Sequence, residues 1–469
     1  MRGNTNWNYR PFTRLIDMDV RQKPFICRVA PFETGFNIQW FDNGQPDGKH
    51  KLIWRVYLTQ DEWHEMPLLG DTARVEGLIE HRDYEFKVVR CDGSGESGLR
   101  LAHTTFVPGT VVNYLHPEDK TYSFSGHSLC SPTIVRLPSG ALMTAMDVYS
   151  GQFGNSKLTL LFKSTDDGKN WRYITDIYPS FWPKLFVHRG ALYLFSGSQD
   201  YGDMLIGRSD DEGETWTAPT HIITGCGPNE MGPHKGPMPV IEFNGRLYTA
   251  IDYGCWRHQQ HANGLLSIDA DADLLDAGNW YFTPFTQYDP NWPNAPVGKC
   301  PGCIEGNAVV SPDGVISNYL RIDHSDCVPR TGKAVVLRGD NSDPEAPLKL
   351  DRIVDCPLGS NSKFQMYQDP VTKQYIMIGT EQPDATPGRP RTVLSMAVSK
   401  DFYNWKVVRR ILDYRTADPK RIGFQYPDWI FDNDDILLLV RTAFGPSVNY
   451  HDANYQIFMR IENFRQYID

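Results

Sequence analysis

Three residues of the chain combine into a unit that could carry nucleophilic chemistry. Glu305 precedes the turn at residues 311–314 by six positions, and Arg321 follows that turn by seven. Because residues at similar distances from a hairpin turn lie side by side on its two strands, we expect these two side chains to be neighbours. Tyr426 opens a later hairpin and should face the same cavity. A phenol with a pKa of about 10 attacks poorly at neutral pH, so any tyrosine nucleophile needs an adjacent carboxylate as its base.

The same pairing rule brings further charged and aromatic side chains to one rim of the predicted fold. They are Cys130, Asp147 and Tyr149 from the first hairpin, Trp182 from the second, His234, Lys235, Asp252 and Tyr253 from the third, Lys363 and Glu381 from the fifth, and Asp428 and Arg441 from the sixth. A water-filled channel could carry such a lining without any chemistry. The mixture of cations, carboxylates and a tyrosine nevertheless favours a functional site.

Six hairpins must position these side chains. Each has an apolar strand, a turn rich in Gly, Asp, Asn or Pro, and a second apolar strand. Their turns lie at residues 138–140, 188–190, 244–245, 311–314, 369–373 and 432–435. Repeated short strands of this kind predict an all-β chain arranged as a six-bladed β-propeller. Residues 111–126 could add an outer strand to the last blade and close the ring, which would remove a sheet edge.

A second repeat lies between the outer strands. Its copies are Ser164-Thr-Asp-Asp-Gly-Lys-Asn-Trp171 and Ser209-Asp-Asp-Glu-Gly-Glu-Thr-Trp216, and a shorter copy without the glycine is Ser399-Lys-Asp-Phe-Tyr-Asn-Trp405. The Asp can accept backbone hydrogen bonds, the Gly can adopt a positive φ, and the Trp can fill an apolar site. These turns resemble the Asp-boxes of the sialidase superfamily, whose members are six-bladed propellers and whose boxes are structural.

The resemblance extends to the candidate site. Glu305 and Arg321 resemble a glutamate and an arginine that belong to the site of that superfamily. A second arginine of the superfamily site lies eight residues before the serine of an Asp-box, and Arg391 lies eight residues before Ser399 in the same way. The stretch Tyr426-Pro-Asp428-Trp resembles the one that carries the superfamily's nucleophile. The resemblance implies that Tyr426 is a nucleophile and that Glu305 is its base. It further implies that Arg321 and Arg391 clamp an acidic group, because their planar forks bind carboxylates in a bidentate manner.

Two positions depart from the superfamily pattern. At the position where the superfamily has its first arginine, this chain has Cys130. On the loop where the superfamily has its acid/base aspartate, the only carboxylate of this chain is Asp147, several residues before the expected position. Asp147 is therefore the candidate acid, and sialic acid is not assigned as the substrate. Lys363 or Arg441 could fill the gap at Cys130. Further candidate substrate-binding residues are Trp182, His234, Lys235, Lys363, Asp428 and Arg441.

The segment before the propeller predicts a small β-sandwich at residues 25–108. Its short alternating strands resemble a fibronectin type III domain, and Tyr84 lies where a tyrosine corner would be. Two domains are predicted. Residues 1–110 form the sandwich, preceded by an irregular leader over residues 1–24, and residues 111–469 form the propeller. We interpret the sandwich as an accessory module without catalytic residues.

Composition restricts the possible partners. The net charge of −10 over 469 residues argues against nucleic acid as a partner. The sequence contains no run of eighteen apolar residues, so no membrane span is predicted. Cys300-Pro-Gly-Cys303 has the spacing of a metal or redox pair but no second pair at a usual distance, so neither a metal nor another cofactor is expected. His258 and His261 are interpreted as loop histidines. No signal peptide is recognised, and the resemblance alone favours a secreted or periplasmic protein.

Three functions remain open on the sequence. The first is an exo-acting, retaining glycoside hydrolase that removes a terminal, acidic sugar from a glycan. The second is a polysaccharide lyase in which Tyr426 or His234 removes a proton beside a uronate carboxylate. The third is a propeller that binds carbohydrate without chemistry. An unsaturated product that absorbs in the ultraviolet would separate the lyase from the hydrolase. The sequence determines neither the sugar nor the oligomeric state.

Overall fold

The computed structural model describes residues 6–7, 9, 22–150, 156–299, 302–323, 326–328, 332–359, 362–382 and 390–468. The chain is almost entirely β-structure, with two short 3₁₀ helices, Ala277–Asn279 and Phe464–Tyr467. The predicted all-β class, a six-bladed propeller preceded by a small sandwich, is confirmed. No helix within the described part of the chain is long and apolar enough to cross a membrane.

Two antiparallel sheets form the N-terminal sandwich. Their strands are β1 (Pro24–Phe32), β2 (Gly35–Asp42), β3 (His50–Val56), β4 (His64–Leu68), β5 (Thr72–Val75), β6 (Asp83–Arg90) and β7 (Arg100–His103). The sheet orders are β1-β2-β5 and β4-β3-β6-β7. Phe36 and Phe86 stack between the sheets with their ring centroids 4.4 Å apart. The Tyr84 hydroxyl accepts the backbone N–H of Ile79 at 3.0 Å, as a tyrosine corner would. The fibronectin type III resemblance and the proposed domain boundary remain predictions.

The first three blades follow a connecting strand, β8 (Thr110–Tyr114). Blade one contains β9 (Ser128–Leu129), β10 (Thr133–Arg136), β11 (Leu142–Tyr149), β12 (Leu158–Ser164) and β13 (Arg172–Ile177). Blade two contains β14 (Phe181–His188), β15 (Ala191–Gly197), β16 (Met204–Ser209) and β17 (Thr220–Ile223). Blade three contains β18 (Gly232–His234), β19 (Val240–Phe243), β20 (Arg246–Cys255), β21 (Gln260–Asp269), β22 (Tyr281–Phe282) and β23 (Thr286–Gln287).

The remaining three blades complete the ring. A separate pair consists of β24 (Val297–Lys299) and β27 (Asp326–Val328). Blade four contains β25 (Gly302–Val310), β26 (Ile316–Asp323), β28 (Lys333–Arg338) and β29 (Lys349–Asp355). Blade five contains β30 (Gln365–Gln368), β31 (Tyr375–Glu381), β32 (Val393–Ser399) and β33 (Lys406–Asp413). Blade six contains β34 (Gly423–Asp432), β35 (Asp435–Ala443) and β36 (Tyr455–Ile461), with β8 as its fourth strand.

The last blade closes the propeller with a strand from the beginning of the domain. β8 pairs antiparallel with β36, from Tyr114 opposite Tyr455 to Thr110 opposite Phe458. This pairing confirms the expectation for residues 111–126 and satisfies the backbone groups of an otherwise open edge. It also attaches the last blade to the segment that follows the sandwich.

The repeated Ser-Asp-Gly-Trp turns connect β12 to β13 in blade one and β16 to β17 in blade two. In the first, Ser164 Oγ donates to Asp166 at 2.8 Å, and Asp166 accepts the backbone N–H of Asn170 at 2.9 Å. Gly168 has a φ of 85°. Trp171 is buried, and its indole N–H donates to the Gly168 carbonyl at 3.1 Å. The second turn repeats these contacts, so the predicted roles of Asp, Gly and Trp are confirmed.

Candidate active site

Three β-bulges aim side chains into the centre of the propeller. Trp182, Glu305 and Tyr426 have φ values of 53°, 55° and 52°. Each lies in the first long strand of its blade, in blades two, four and six, at a break in the pairing register. A bulge redirects a side chain that regular pleating would hold against the neighbouring blade. A left-handed backbone conformation costs a non-glycine residue roughly 1–3 kcal/mol, and such conformations cluster at functional sites.

The bulges bring Tyr426 and Glu305 together. The Tyr426 hydroxyl donates to Glu305 Oε1 at 2.5 Å, and Arg321 donates to Glu305 Oε2 at 2.7 Å. Burial favours the neutral acid, but the charge of Arg321 and the hydrogen bond from Tyr426 outweigh it and lower the pKa of Glu305. Burial, followed by the charge of Glu305, raises the pKa of Tyr426 to about 12. The pair is therefore a neutral phenol held by an ionised carboxylate.

Three arginines surround the phenol. Arg321 Nη1 lies 3.5 Å from the Tyr426 hydroxyl. The guanidinium carbons of Arg441 and Arg391 lie 4.8 Å and 6.0 Å from the centre of the Tyr426 ring. Burial, together with the positive charges of Arg321 and Arg441, lowers the pKa of Arg391 to about 10. A cluster of mutually repelling guanidinium groups is suited to an anionic ligand.

Arg441 lies next to the position at which the sequence lacks an arginine. Its Nε donates to the His451 carbonyl at 3.0 Å, and its guanidinium lies 5.7 Å from the centre of the Tyr149 ring. Burial raises the pKa of the Cys130 thiol, and the positive charge of Arg441 opposes that rise. Lys363 is directed elsewhere and donates to the Pro427 carbonyl at 2.6 Å. Of the two residues that could fill the gap at Cys130, Arg441 is the one beside Tyr426.

Asp147 is close to this cluster but buried. The backbone N–H of Cys130 donates to the Asp147 carbonyl at 2.9 Å, as the hairpin geometry predicts. Burial raises the pKa of the Asp147 carboxyl to about 7, although the charge of Arg441 opposes that rise. Both carboxyl oxygens lack solvent contact, so Asp147 is held in the protonated form up to near-neutral pH without being open to a substrate.

A histidine and an aspartate support the Glu305 bulge from blade three. His234 lies opposite Asp252 in the β18–β20 pairing, and its Nδ1 is 3.3 Å from Asp252 Oδ2. The same oxygen accepts the backbone N–H of Glu305 at 2.7 Å. The Trp182 ring packs edge-on against His234 at 4.2 Å. One carboxylate therefore fixes both the imidazole and the backbone that carries Glu305.

Several predicted site residues make contacts between blades rather than with the Tyr426 hydroxyl. Asp428 accepts both the ammonium of Lys184, at 2.8 Å, and the backbone N–H of Ile134, at 2.7 Å. These contacts connect blades six, two and one. Burial lowers the pKa of Lys363 and of Lys235 to about 7. The substrate-binding roles predicted for Asp428, Lys363 and Lys235 remain predictions, and Asp428 has a structural partner in Lys184.

The structure adds residues that the sequence did not single out. Asp200 lies on the loop after β15, is half-buried, and has a pKa that burial raises to about 6. His261 was interpreted as a loop residue, but that interpretation is wrong because it lies buried in β21, where its ring is 5.2 Å from that of His234. Asp200 could have been recognised because it leaves the second hairpin at the rim where Trp182 enters. Glu381, which the sequence analysis placed at this rim, accepts a hydrogen bond from the Arg410 guanidinium at 2.8 Å.

No metal centre is formed by the part of the chain that the structure describes. No group of three or more His, Cys, Asp or Glu side chains there could hold an ion. Cys300 lies outside the described residues, so the expectation for the Cys300–Cys303 pair remains a prediction.

Solved structures of three glycoside-processing enzymes are similar to this chain in fold. The α-L-arabinanase of Penicillium chrysogenum, complexed with arabinobiose, has a TM-score of 0.52 and 14% identity over 76% of this chain and 98% of its own. A leech intramolecular trans-sialidase has a TM-score of 0.50 and 10% identity over 94% of this chain and 92% of its own. An α-L-arabinofuranosidase of Fusarium graminearum has a TM-score of 0.51 and 13% identity over 75% of this chain and 97% of its own.

These likenesses establish the fold. No protein-family model matches the chain, and no curated protein matches it. The chain has the sialidase-like propeller fold that the Ser-Asp-Gly-Trp turns suggested. The identities are too low to transfer a substrate, because one fold carries many activities.

Proposed function

We propose that the protein is an exo-acting, retaining glycoside hydrolase that removes a terminal acidic sugar from a glycan. The observation that carries the proposal is the 2.5 Å hydrogen bond from Tyr426 to Glu305 within a group of three arginines. A neutral phenol beside an ionised carboxylate is the arrangement that a tyrosine nucleophile requires. The fold neighbours, which include an arabinanase and a trans-sialidase, support a glycan-directed activity.

In the proposed first step, the Tyr426 oxygen attacks the anomeric carbon while Glu305 accepts the phenol proton. The bond between the anomeric carbon and the leaving oxygen breaks, and that oxygen takes a proton from a carboxylic acid of the protein. A covalent glycosyl–tyrosine results. In the second step the ionised acid removes a proton from water and the water oxygen attacks the anomeric carbon. The bond from that carbon to the Tyr426 oxygen breaks, and the phenolate formed recovers its proton from Glu305. Two displacements retain the anomeric configuration.

The arginines determine the charge of the substrate. Arg321 is already engaged by Glu305 at 2.7 Å, whereas Arg441 has no carboxylate within 4 Å among the residues that the structure describes. The lowered pKa of Arg391 reflects burial and repulsion from the other two guanidinium groups. A carboxylate on the sugar would relieve that repulsion and accept paired N–H bonds. We therefore propose an acidic sugar without naming it.

We assign the proton donor to Asp200 rather than to Asp147. A general acid must reach the leaving oxygen, within roughly 3 Å in the reacting complex. Asp147 is protonated up to a pH of about 7 but is completely buried. Asp200 has a pKa of about 6, is half-buried, and lines a cavity together with Trp182. Because Asp200 is partly exposed and Asp147 is not, we propose Asp200 as the carboxylic acid that a bound glycan contacts.

The test is a panel of 4-methylumbelliferyl glycosides of neuraminic, glucuronic and galacturonic acids and of L-arabinofuranose, followed by ¹H NMR of the first-formed anomer. We expect release from an acidic glycoside with retained configuration. Loss of activity in Tyr426→Phe, but not in Tyr375→Phe, supports the tyrosine mechanism. Tyr375 is a matched control because its hydroxyl donates to the Val310 carbonyl, away from the site, at 2.8 Å. An inverted product, or an active Tyr426→Phe variant, contradicts the proposal.

A lyase remains the second candidate because of one observation. Asp252 holds Nδ1 of His234, which leaves Nε2 buried without a partner among the described residues. Such an oriented imidazole could remove a proton from the carbon beside a uronate carboxylate. Incubation with polygalacturonate and other uronate polymers, read near 235 nm, would then show an unsaturated product. Binding to these polymers without any product would favour the carbohydrate-binding function.

A further inference from the structure

A groove with a volume of about 660 Å³ lies between the sandwich and the propeller. Its lining comes from strands β1, β2 and β5 of the sandwich, from the connecting segment at residues 105–111, and from residues 169–172 of the first Ser-Asp-Gly-Trp turn. Drug-sized ligands occupy pockets of about 300–1,000 Å³, often where two domains meet. This space, the interdomain groove, is therefore large enough for an oligosaccharide.

Hydrogen bonds hold the two sides of the interdomain groove in place. The side chain of Gln39 accepts the backbone N–H of Tyr173 at 2.7 Å and donates to the Tyr173 carbonyl at 3.3 Å. The Arg28 guanidinium donates to the carbonyls of Val112 and Val111 at 2.6 Å and 2.9 Å. Both residues of the sandwich thus bind the backbone of the propeller. A groove that is already formed reduces the ordering cost of binding a ligand.

The interdomain groove lies far from the candidate active site. Strand β12 ends at Ser164, where the turn that lines the groove begins, and starts at Leu158. Leu158 lies opposite Val148, the residue after Asp147. The six residue steps along β12 span about 20 Å. The groove and the arginine cluster therefore adjoin opposite ends of blade one, and a ligand in the groove does not occupy the space around Tyr426.

The lining of the groove has an excess of positive charge. Its charged side chains are Arg28, Arg74, Lys169, Arg172 and Glu33. Two of the cations have partners outside the lining, since Arg172 forms an ion pair with Asp71 and Arg74 with Glu76. The other two cations have no carboxylate within 4 Å in the ranges that the structure describes. They outnumber the single carboxylate of the lining, so the groove favours a ligand with negative charge.

Arg28 has the clearest need for an anion. It is half-buried, and its Nη1 has no hydrogen-bond partner among the residues described. Burial lowers the pKa of Arg28 to about 10, Cys27 opposes that effect, and the positive charge of Arg172 adds to it. A guanidinium group that is partly removed from water without a counter-ion is unfavourable. A carboxylate that accepts the N–H groups of Nη1 would offset this cost.

Two phenylalanines place apolar surface beside these cations. Phe106 is 54% exposed and lines the groove. Phe32 is half-buried, and the guanidinium carbon of Arg74 lies 4.1 Å from the centre of its ring. An acidic sugar has a carboxylate at its edge and C–H groups on the faces of its ring. Aromatic side chains pack against such apolar faces, while arginine and lysine bind the carboxylate.

We propose that the interdomain groove is an ancillary binding site for an acidic polysaccharide, with a carboxylate of the polymer at Arg28 and a sugar ring against Phe106. The groove keeps the polymer attached to the protein, whereas the candidate active site takes one terminal sugar. The proposal rests on the groove alone and does not require the Tyr426 chemistry.

The experiment measures binding to immobilised polymers. Polygalacturonate, hyaluronate and polysialic acid are attached through their reducing ends to biolayer interferometry sensors, and the wild type and Tyr426→Phe are tested in parallel so that turnover does not decide the result. We expect binding to at least one polymer, and this binding should weaken as ionic strength rises from about 20 mM to about 200 mM. The neutral methyl ester of that polymer should bind about tenfold more weakly. Absence of binding to all three polymers, or equal binding to the methyl ester, overturns the proposal.

Variants at exposed positions assign the binding to the groove. Phe106→Ala should weaken it about tenfold, the loss expected for one apolar contact. Lys169→Met should weaken it about threefold, because an exposed ion pair contributes little. The matched controls Phe282→Ala and Lys349→Met, at exposed positions of blades three and four, should bind like the wild type. Unfolding midpoints of all four variants should stay close to that of the wild type, because these side chains are exposed.

Two results would assign the binding elsewhere. Polymer binding that survives Phe106→Ala and Lys169→Met but disappears in Arg391→Ala belongs to the candidate active site and overturns the proposal. A dimer that sedimentation velocity detects and that Phe106→Ala abolishes, without any polymer binding, assigns the groove to a second copy of the chain and also overturns it. Hydrolysis of small 4-methylumbelliferyl glycosides should be unchanged in both groove variants. The test of the groove and the test of the proposed function therefore fail independently.

Discussion

Tyr426 and Glu305 lie 121 residues apart in the chain, yet the phenol of one donates to the carboxylate of the other at 2.5 Å. The contact depends on two bulges in different blades, at each of which the backbone adopts a positive φ. A bulge changes the direction in which a side chain leaves its strand, whereas regular pleating alternates side chains between the two faces of a sheet. The backbone strain of the two bulges is thus coupled to one hydrogen bond at the candidate active site.

Removing either partner of this hydrogen bond should stop turnover. In Tyr426→Phe and Glu305→Gln we expect kcat to fall by about 10³-fold or more, because one variant lacks the proposed nucleophile and the other lacks its proposed base. Steady-state kinetics on the acidic glycoside found in the panel provide the measurement. Far-ultraviolet circular dichroism should show an unchanged fold. A Glu305→Gln variant that retains half of the wild-type kcat contradicts the role of the carboxylate.

Removing Arg391 should act on binding. For Arg391→Ala we expect KM for the acidic substrate to rise by about 10–100-fold, with a smaller change in kcat, because the arginine contacts a charge that is present before and during reaction. The same substitution should leave KM for the amide of that substrate within about threefold of wild type. Equal losses with the acid and with its amide would show that Arg391 does not recognise the carboxylate.

The proton donor can be identified by varying the leaving group. Asp200→Asn should slow hydrolysis of glycosides with alkyl leaving groups by about 10²-fold or more, since a poor leaving oxygen needs protonation. Glycosides with a dinitrophenyl leaving group should react at nearly the wild-type rate. The alkaline limb of the kcat/KM profile, which follows the Asp200 pKa of about 6, should disappear. If Asp147→Asn shows this pattern and Asp200→Asn does not, the acid is Asp147.

Asp147 should make stability depend on pH. Burial raises its pKa from 3.8 to about 7, so between these values the folded state binds more protons than the unfolded state. Stability therefore falls as pH rises from about 4 to 7, by up to about 4 kcal/mol for a shift of this size. Asp147→Asn, which cannot ionise, should lose less stability over that interval. Urea unfolding at pH 4.5 and pH 8 measures both slopes, and equal slopes contradict the prediction.

The Ser-Asp-Gly-Trp turns should affect stability without affecting catalysis. Trp171 is buried and packs edge-on against Phe458 at 5.5 Å. Trp171→Ala should lower the free energy of unfolding by about 3–5 kcal/mol, the usual cost of emptying a buried tryptophan site. Catalytic constants of the folded fraction should change little. The matched variant Trp216→Ala, in the second turn, should behave in the same way, and a loss of turnover at unchanged stability would refute a structural role.

The sequence by itself determined the features that depend on local pairing. Hairpin turns place Glu305 near Arg321 and His234 opposite Asp252, because the register of a hairpin follows from its turn. The six hairpins and the repeated turns similarly predict six blades. The role of residues 111–126 as a closing strand was also foreseeable, since an open propeller would leave an unpaired edge.

Only the tertiary structure decided how the blades meet. The direction of Lys363 towards the Pro427 carbonyl, the pairing of Asp428 with Lys184, and the burial of His261 each depend on the packing of separate blades. Asp200 acquires its raised pKa from burial, which no spacing in the sequence reports. Hairpin register is set by neighbouring residues of one segment, whereas inter-blade contacts are set by the closure of the whole ring. The pattern of residues therefore identifies the pair of Glu305 and Arg321, and closure of the ring brings Tyr426 and the other arginines to it.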